Sequence, residues 1–297
     1  MWSEQTIQLI QLACEEDLGR SGDITSKLLD ESDAQVAGRV VPRQSGLICG
    51  LALGPRICEV FAQRLNQELE FAVSAHGDRQ FEDGDEVKAG MCVATLRGPR
   101  SAALTVERTL LNFLGRMSGV ATLTRSFVEA ARKANPNVSI LDTRKTIPGW
   151  RELDKYAVRC GGGENHRAGL HDAVLIKDNH LAGIPTPRLA NAVLELLHRR
   201  TGSPSFVEVE VDDLEQLAEV CKVVGVDIVL LDNFTSDQMR AAVACRDGQG
   251  LRGKVELEAS GGITLENVAE IAATGIDRIS VGALTHSAPG LNIGLDL

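Results

Sequence analysis

The chain is predicted to be α/β, with a mostly β N-terminal part followed by an incomplete parallel β/α barrel of six to seven strands. Three observations carry this. Beyond Pro136, short β-branched runs alternate with helical stretches: VSILDTRK, AVLIKDN, SFVEVEV, DIVLLDN, KVELEASGG and RISVGAL. Such apolar runs suit parallel strands buried on both faces. Each run is apolar through its body and polar at its C-terminal end, and in a barrel those ends open on one face, where catalytic groups collect. A doubly wound open sheet would gather them at one switch point instead. Their even spread favours the barrel, and finding six clear runs rather than eight makes it incomplete.

The N-terminal stretch MWSEQTIQLIQLACEEDLG is acidic and amphipathic, unlike a basic leader followed by an apolar core. From Val36 to Arg97, short strands are punctuated by turn signals, with Gly84-Asp85 and Gly90 as hairpin turns. The GD-x-V-x-x-G pattern here also occurs in lipoyl or biotinyl carriers. Those modify a Lys at an exposed hairpin tip, whereas Lys88 falls inside the pattern. From Ser101 to Ala134 apolar residues recur at helical spacing, and Asn135-Pro136-Asn137 stops them. Two helices joined near Gly115 to Gly119 are expected.

With 31 Lys and Arg against 41 Asp and Glu, the net charge is -10, which argues against a nucleic-acid or anionic-membrane partner. No run of about 18 apolar residues occurs, and a soluble, intracellular protein is expected. The seven cysteines show no CxxC pair or metal-ligand spacing and read as reduced structural thiols.

Within this acidic chain, the segment Leu141 to His180 places Arg144, Lys145, His166, Arg167 and Lys177 at strand ends. Any one of them reads as a surface charge, but five together call for an anionic ligand. Arg suits planar carboxylates and Lys suits phosphate as a point charge. Glu210 and Asp232 end neighbouring runs, where carboxylates hold hydroxyls, hold Mg²⁺ through water or offset developing positive charge. Alternation is expected to turn only one of Glu208 and Glu210 into the barrel at the relevant height. SGGITLENV and RISVGALTHSA each place glycine between a strand end and a helix, with Thr264 as a candidate N-cap. Backbone N–H groups and helix dipoles there would cradle a phosphate.

The block DTRKTIPGWRELDKYAVRCGGGENHRAGLHDAVLIKDNH, with ERTLLNFLGRMSG before it and VEVEV, LLDNF, EASGGI and SVGALTHSAP after it, closely resembles the quinolinate phosphoribosyltransferase family. The resemblance runs from EEDLGRSGDITS almost to the C-terminus. It implies an N-terminal α+β sandwich-like domain over 1–117, an incomplete barrel over 118–285, and a tail over 286–297 packing back on the first domain. It also implies condensation of quinolinate with phosphoribosyl pyrophosphate, with Mg²⁺, to nicotinate mononucleotide, pyrophosphate and carbon dioxide in NAD biosynthesis. By matching motifs, Arg144, His166 and Arg167 would grip the quinolinate carboxylates, with Thr146 among the substrate-binding residues. Lys145 and Lys177 would serve pyrophosphate, and Glu210 and Asp232 the ribose and the metal. These last four are the implied catalytic groups. Ser260, Gly261, Gly262, Val281, Gly282 and Ala283 would hold the 5′-phosphate. Arg108 would reach across a homodimer interface, with a hexamer built of such dimers as the larger assembly. Rival readings are a Schiff-base aldolase using Lys177, a related transferase associated with molybdate transport, and a non-catalytic binder of anionic metabolites.

Overall fold

The computed structural model describes residues 2–29 and 33–297. Two compact units are present: residues 1–124, 146–162 and 287–297 form the first, and residues 125–145 and 163–286 the second.

In the first unit, helix α1 (Glu4–Leu18) starts where the Ser3 side chain accepts the Thr6 N–H, and it ends at Gly19, whose φ is 49°. Thr6, Ile10, Cys14 and Leu18 are its buried residues, one per turn along a single stripe. The sheet contains β1 (Gln35–Pro42), β3 (Glu70–Val73), β7 (Ala94–Pro99) and the last strand, β14 (Ile293–Asp296), in the antiparallel order β14-β1-β7-β3. Two short ladders pair β2 (Gly46–Leu47) with β6 (Glu86–Val87), and β4 (Ala75–His76) with β5 (Arg79–Gln80). Helix α2 (Gly54–Leu65) buries Ile57, Cys58 and Phe61. Helix α4 (Arg151–Cys160) is held by Arg116, whose guanidinium donates to both oxygens of the buried Asp154 at 3.0 and 3.2 Å. All seven cysteines are free thiols, and burial pushes that of Cys58 up to about 12.

Helix α3 (Arg100–Ala134) runs unbroken for 35 residues through Gly115 and Gly119, where two helices were expected. These glycines do not break the helix because they serve close approach. A Cβ on Gly119 would lie 2.0 Å from the Pro289 carbonyl oxygen, and one on Gly115 would lie 2.9 Å from that of Leu291. The Leu291 N–H also donates to the Gly115 carbonyl at 2.9 Å. Glycine thus marks the C-terminal segment's seat on the helix, at a modest propensity cost. Among the described residues, no helix is long and apolar enough to cross a membrane.

The second unit is a six-stranded parallel sheet: β8 (Ser139–Leu141), β9 (Val174–Ile176), β10 (Val207–Val211), β11 (Ile228–Asp232), β12 (Glu256–Ser260) and β13 (Arg278–Ser280). Its order, β8-β13-β12-β11-β10-β9, is cyclic, with the first strand beside the last and the opening between β8 and β9. Between these two strands the chain passes through residues 146–162, which belong to the first unit. The other connections carry helices α5 (Leu189–His198), α6 (Leu214–Val220), α7 (Ser236–Gly248) and α8 (Val268–Ala272), and α9 (Ala283–His286) follows β13. Asp213 caps α6 through the Gln216 N–H, and Thr235 with Gln238 forms a capping box on α7. All five residues of β10, VEVEV, are buried.

Gly119→Ala should cost about 2 kcal/mol, the scale of forced overpacking against backbone. Urea unfolding would check this, and a variant as stable as the parent would contradict the proposed seat.

Candidate active site at the ends of the parallel strands

Parallel register assembles the acidic half of this site. Ile176 pairs with Val209, so the next residues on β9 and β10, Lys177 and Glu210, become neighbours. Lys177 Nζ donates to Glu210 Oε2 at 2.6 Å, with the lysine side chain 45% exposed and the glutamate 8%. Asp232 pairs with Ser260 across β11 and β12, and its carboxylate accepts from Asn233 Nδ2 at 2.8 Å. Glu208 and Glu210 lie two residues apart and share one face of β10, so it is height along the strand, not alternation, that leaves only one of them at the site. Depth separates them, since Glu208 is fully buried and Glu210 lies at the rim.

The cationic half lies on the loops after β8 and before β9. Arg144 is half-buried, and its Nε is buried without a hydrogen-bond partner. Arg167 is buried, donates weakly to the Ala173 carbonyl at 3.4 Å, and has its pKa lowered by burial and by the neighbouring Arg144 charge. Guanidiniums that lack full hydrogen bonding in a partly buried site favour an anionic partner.

His166 is turned into the interior. Its Nε2 lies 2.9 Å from Glu208 and 3.4 Å from Glu258, and its Nδ1 accepts the Arg167 N–H at 2.8 Å. The role first expected, direct grip of a ligand carboxylate, meets a ring whose two nitrogens already face protein groups. Burial lowers the His166 pKa, but the two carboxylates outweigh it and raise it to about 9. An N–H aimed at Nδ1 nevertheless requires that nitrogen to be bare. The Nδ1 contact leaves Nε2 as the ring nitrogen that carries the proton and faces both carboxylates, and the pKa of Glu208 is itself raised by burial and by Glu258. Glu258 stays ionised against burial, held by His166 and by Arg278, whose Nε donates to it at 2.8 Å. His166, Glu208 and Glu258 place one ligand atom each within 4.8 Å, the arrangement of a metal trio. With Arg278 and the imidazole already facing these carboxylates, we read it as an ion pair between Glu258 and Arg278 that the imidazole extends to Glu208.

The glycine loops are built largely from backbone. Gly261 and Gly262 have φ of 94° and 61°, and a Cβ on Gly261 would lie 2.1 Å from Asn233 Oδ1. Glycine is therefore required there. Thr264 does not cap a helix; its N–H donates to Asn267 Oδ1, and α8 begins only at Val268 and lasts five residues. The dipole contribution expected of that helix is correspondingly small. Val281 is buried and spends its N–H on the Leu141 carbonyl at 2.9 Å, leaving half-exposed Gly282 and Ala283 as the accessible part of that loop. The exposed Lys145 is anchored by its backbone, with Thr285 Oγ1 donating to its carbonyl at 2.8 Å.

Thirteen of the fifteen expected site residues thus fall in the second unit. Arg108 and Thr146 belong to the first: Arg108 is exposed on α3, and Thr146 accepts from Arg151 Nε at 3.2 Å. The sequence reading gave no role to Asp142, Glu258 or Arg278. Asp142 is fully buried and accepts the His166 N–H at 2.9 Å and Asn165 Nδ2 at 2.6 Å. Alternation offered a signal, because Glu258 precedes Ser260 by two and shares its face. The first unit also has a hollow of about 850 Å³ lined by Trp2, Glu59, Glu152 and Tyr156, with none of the expected site residues.

The family model for the quinolinate phosphoribosyl transferase C-terminal domain matches residues 120–296, and that for the N-terminal domain matches residues 23–118. A nicotinate-nucleotide pyrophosphorylase (carboxylating) of Mycobacterium leprae is 42% identical, covering 97% of this chain and 95% of that protein. A probable enzyme of the same name from Bacillus subtilis is 36% identical over 95% of this chain and 90% of its own. Among solved structures, NadC from Streptococcus pyogenes superposes with a TM-score of 0.87 at 32% identity, covering 100% of this chain and 97% of the other. The nicotinate-nucleotide pyrophosphorylase of Francisella tularensis gives 0.84 at 35%, with the same coverage.

Gly261→Ala should destabilise the second unit by about 1–3 kcal/mol, the cost of a non-glycine residue in a sparsely populated backbone region. Chemical denaturation followed by hydrogen exchange in the β12 loop would measure it; unchanged protection would contradict the Asn233 contact.

Proposed function

Because the chain belongs to the quinolinate phosphoribosyl transferase family, we propose that its strand-end site joins quinolinate to phosphoribosyl pyrophosphate, giving nicotinate mononucleotide, pyrophosphate and carbon dioxide in de novo NAD biosynthesis. One observation carries the assignment of the site: on the loops flanking β8 and β9, Arg144 Nε is buried without a hydrogen-bond partner, and Arg167 is buried with only a weak contact to the Ala173 carbonyl. A planar dicarboxylate supplies what this pair lacks.

Arg144 and Arg167 hold the quinolinate carboxylates and orient the pyridine nitrogen toward C1 of the ribose. The bond from C1 to pyrophosphate breaks with its electron pair leaving on oxygen, and Lys145 and Lys177 receive that charge. Glu210 and Asp232 face the positive charge that develops on the ribose. Nitrogen then bonds to C1 and becomes cationic. The bond to the adjacent carboxylate breaks, its electrons are held by the cationic ring, carbon dioxide departs, and a proton from solvent replaces it. The residues at the strand ends supply orientation and charge, with no protein nucleophile. Ser260, Gly261, Gly262, Gly282 and Ala283 contact the 5′-phosphate, while Val281 shapes their loop.

Glu210 and Asp232 offer oxygen donors at a partly open rim, a set that fits Mg²⁺ held jointly by one or two carboxylates and substrate oxygens. When bound, the ion neutralises charge on the departing pyrophosphate. Arg108 serves the site of a second protomer in a homodimer, alone or within a hexamer, and Thr146 completes the substrate contacts. We place the reaction in the cytoplasm.

Purified protein incubated with quinolinate, phosphoribosyl pyrophosphate and Mg²⁺ should yield nicotinate mononucleotide, whereas nicotinate should not replace quinolinate. Arg144→Ala or Lys177→Ala should lower turnover at least about a hundredfold, the scale of losing a charge-stabilising donor; near-normal rates in both would overturn the assignment. Mixing Arg108→Ala with Lys177→Ala protomers should restore part of the activity. No recovery in a verified mixed dimer would rule out the shared site.

A further inference from the structure

Glu208 and Glu258 have no part in the chemistry just described, yet both are fully buried. Both oxygens of Glu208, and Oε1 of Glu258, lack an aligned hydrogen bond, although His166 Nε2 is 2.9 and 3.4 Å away. These oxygens meet the ring by close approach in the buried interior rather than through an aligned hydrogen bond. The other contacts fix the ring. Phe206 packs edge-on, with ring centres 5.4 Å apart, Asp142 Oδ1 accepts the His166 N–H at 2.9 Å, and the Arg167 N–H ends on Nδ1 at 2.8 Å. Arg278 sits on the far side of Glu258 at 2.8 Å and also reaches Glu256 at 3.2 Å.

This chain of contacts ends on the peptide from which the Arg167 side chain departs. Arg167 also feels Arg144, which repels it, and Glu208, which attracts it.

We propose that Glu208 and Glu258 are positioning residues for quinolinate: acting through the His166 ring, they fix the backbone of Arg167, so that the point from which its side chain enters the cation site is set in advance. This rests on the substrate assignment above and assigns His166 to holding Arg167 rather than to touching the substrate. Preorganised charge of this kind raises affinity because the ordering cost is met during folding. It also makes the dependence specific to one substrate, since phosphoribosyl pyrophosphate is held by Lys177, Glu210, Asp232 and the glycine loops.

The test measures both Michaelis constants in Glu258→Gln and Glu208→Gln, alongside thermal melting. The expected result is a rise of about tenfold or more in KM for quinolinate, with KM for phosphoribosyl pyrophosphate within about twofold of the parent. A double cycle of Glu258→Gln with Arg167→Lys should be strongly non-additive. Equal rises for both substrates, or additive effects, would overturn the proposal. Should either variant fail to fold, the unmodified protein decides: nitrogen NMR of the His166 ring should show a bare Nδ1 acting as acceptor, shifted by quinolinate alone and not by phosphoribosyl pyrophosphate alone. A ring that ignores quinolinate would sink the inference. If the unmodified protein makes no nicotinate mononucleotide, the substrate assignment itself fails; if it does and only the quinolinate constant is insensitive to Glu258, the positioning role alone fails.

Discussion

A charge buried in a protein interior must be matched by another, and in the second unit this requirement ties the strands together. Glu208 on β10, Glu258 on β12 and Arg278 on β13 meet His166 from the loop after β8. Such a network is a poor source of stability, because desolvation offsets most of the Coulomb gain. It restricts geometry instead. Moving β12 relative to the loop after β8 would separate Glu258 from the imidazole, so contacts that hold these elements in place also specify where Arg167 begins.

Above this layer lies a rim of partly exposed charge. Glu208 and Glu210 sit on the same face of one strand, two residues apart, and serve different ends because one is fully buried and the other is 9% exposed. The deep residue faces the His166 ring permanently, whereas the shallow one meets Lys177, whose side chain is 45% exposed and can exchange partners when a ligand arrives. Depth along a strand thus separates support from chemistry within a single VEVEV sequence.

Glycine illustrates how one residue type carries different meanings. Gly261 has a left-handed φ and faces Asn233, itself left-handed at φ 55°. Gly115 and Gly119 sit inside regular helix, where their lack of a Cβ admits the backbone of residues 289–291. In both settings glycine marks close approach, but sequence spacing alone suggests a turn, which is why the long helix was expected to break.

Periodicity and end-of-strand polarity determined the α/β class, the six parallel strands and most strand-end candidates, because alternation and strand length are local properties of the chain. Long ordered motifs determined the family for a similar reason: they are continuous runs of residues. The tertiary structure alone decided that His166 faces inward, that Val281 gives its N–H to Leu141, that α3 is continuous, and that Asp142, Glu258 and Arg278 join the site. These facts depend on which strands become neighbours and on how deeply each charge is buried, and both are set by contacts between residues far apart in sequence.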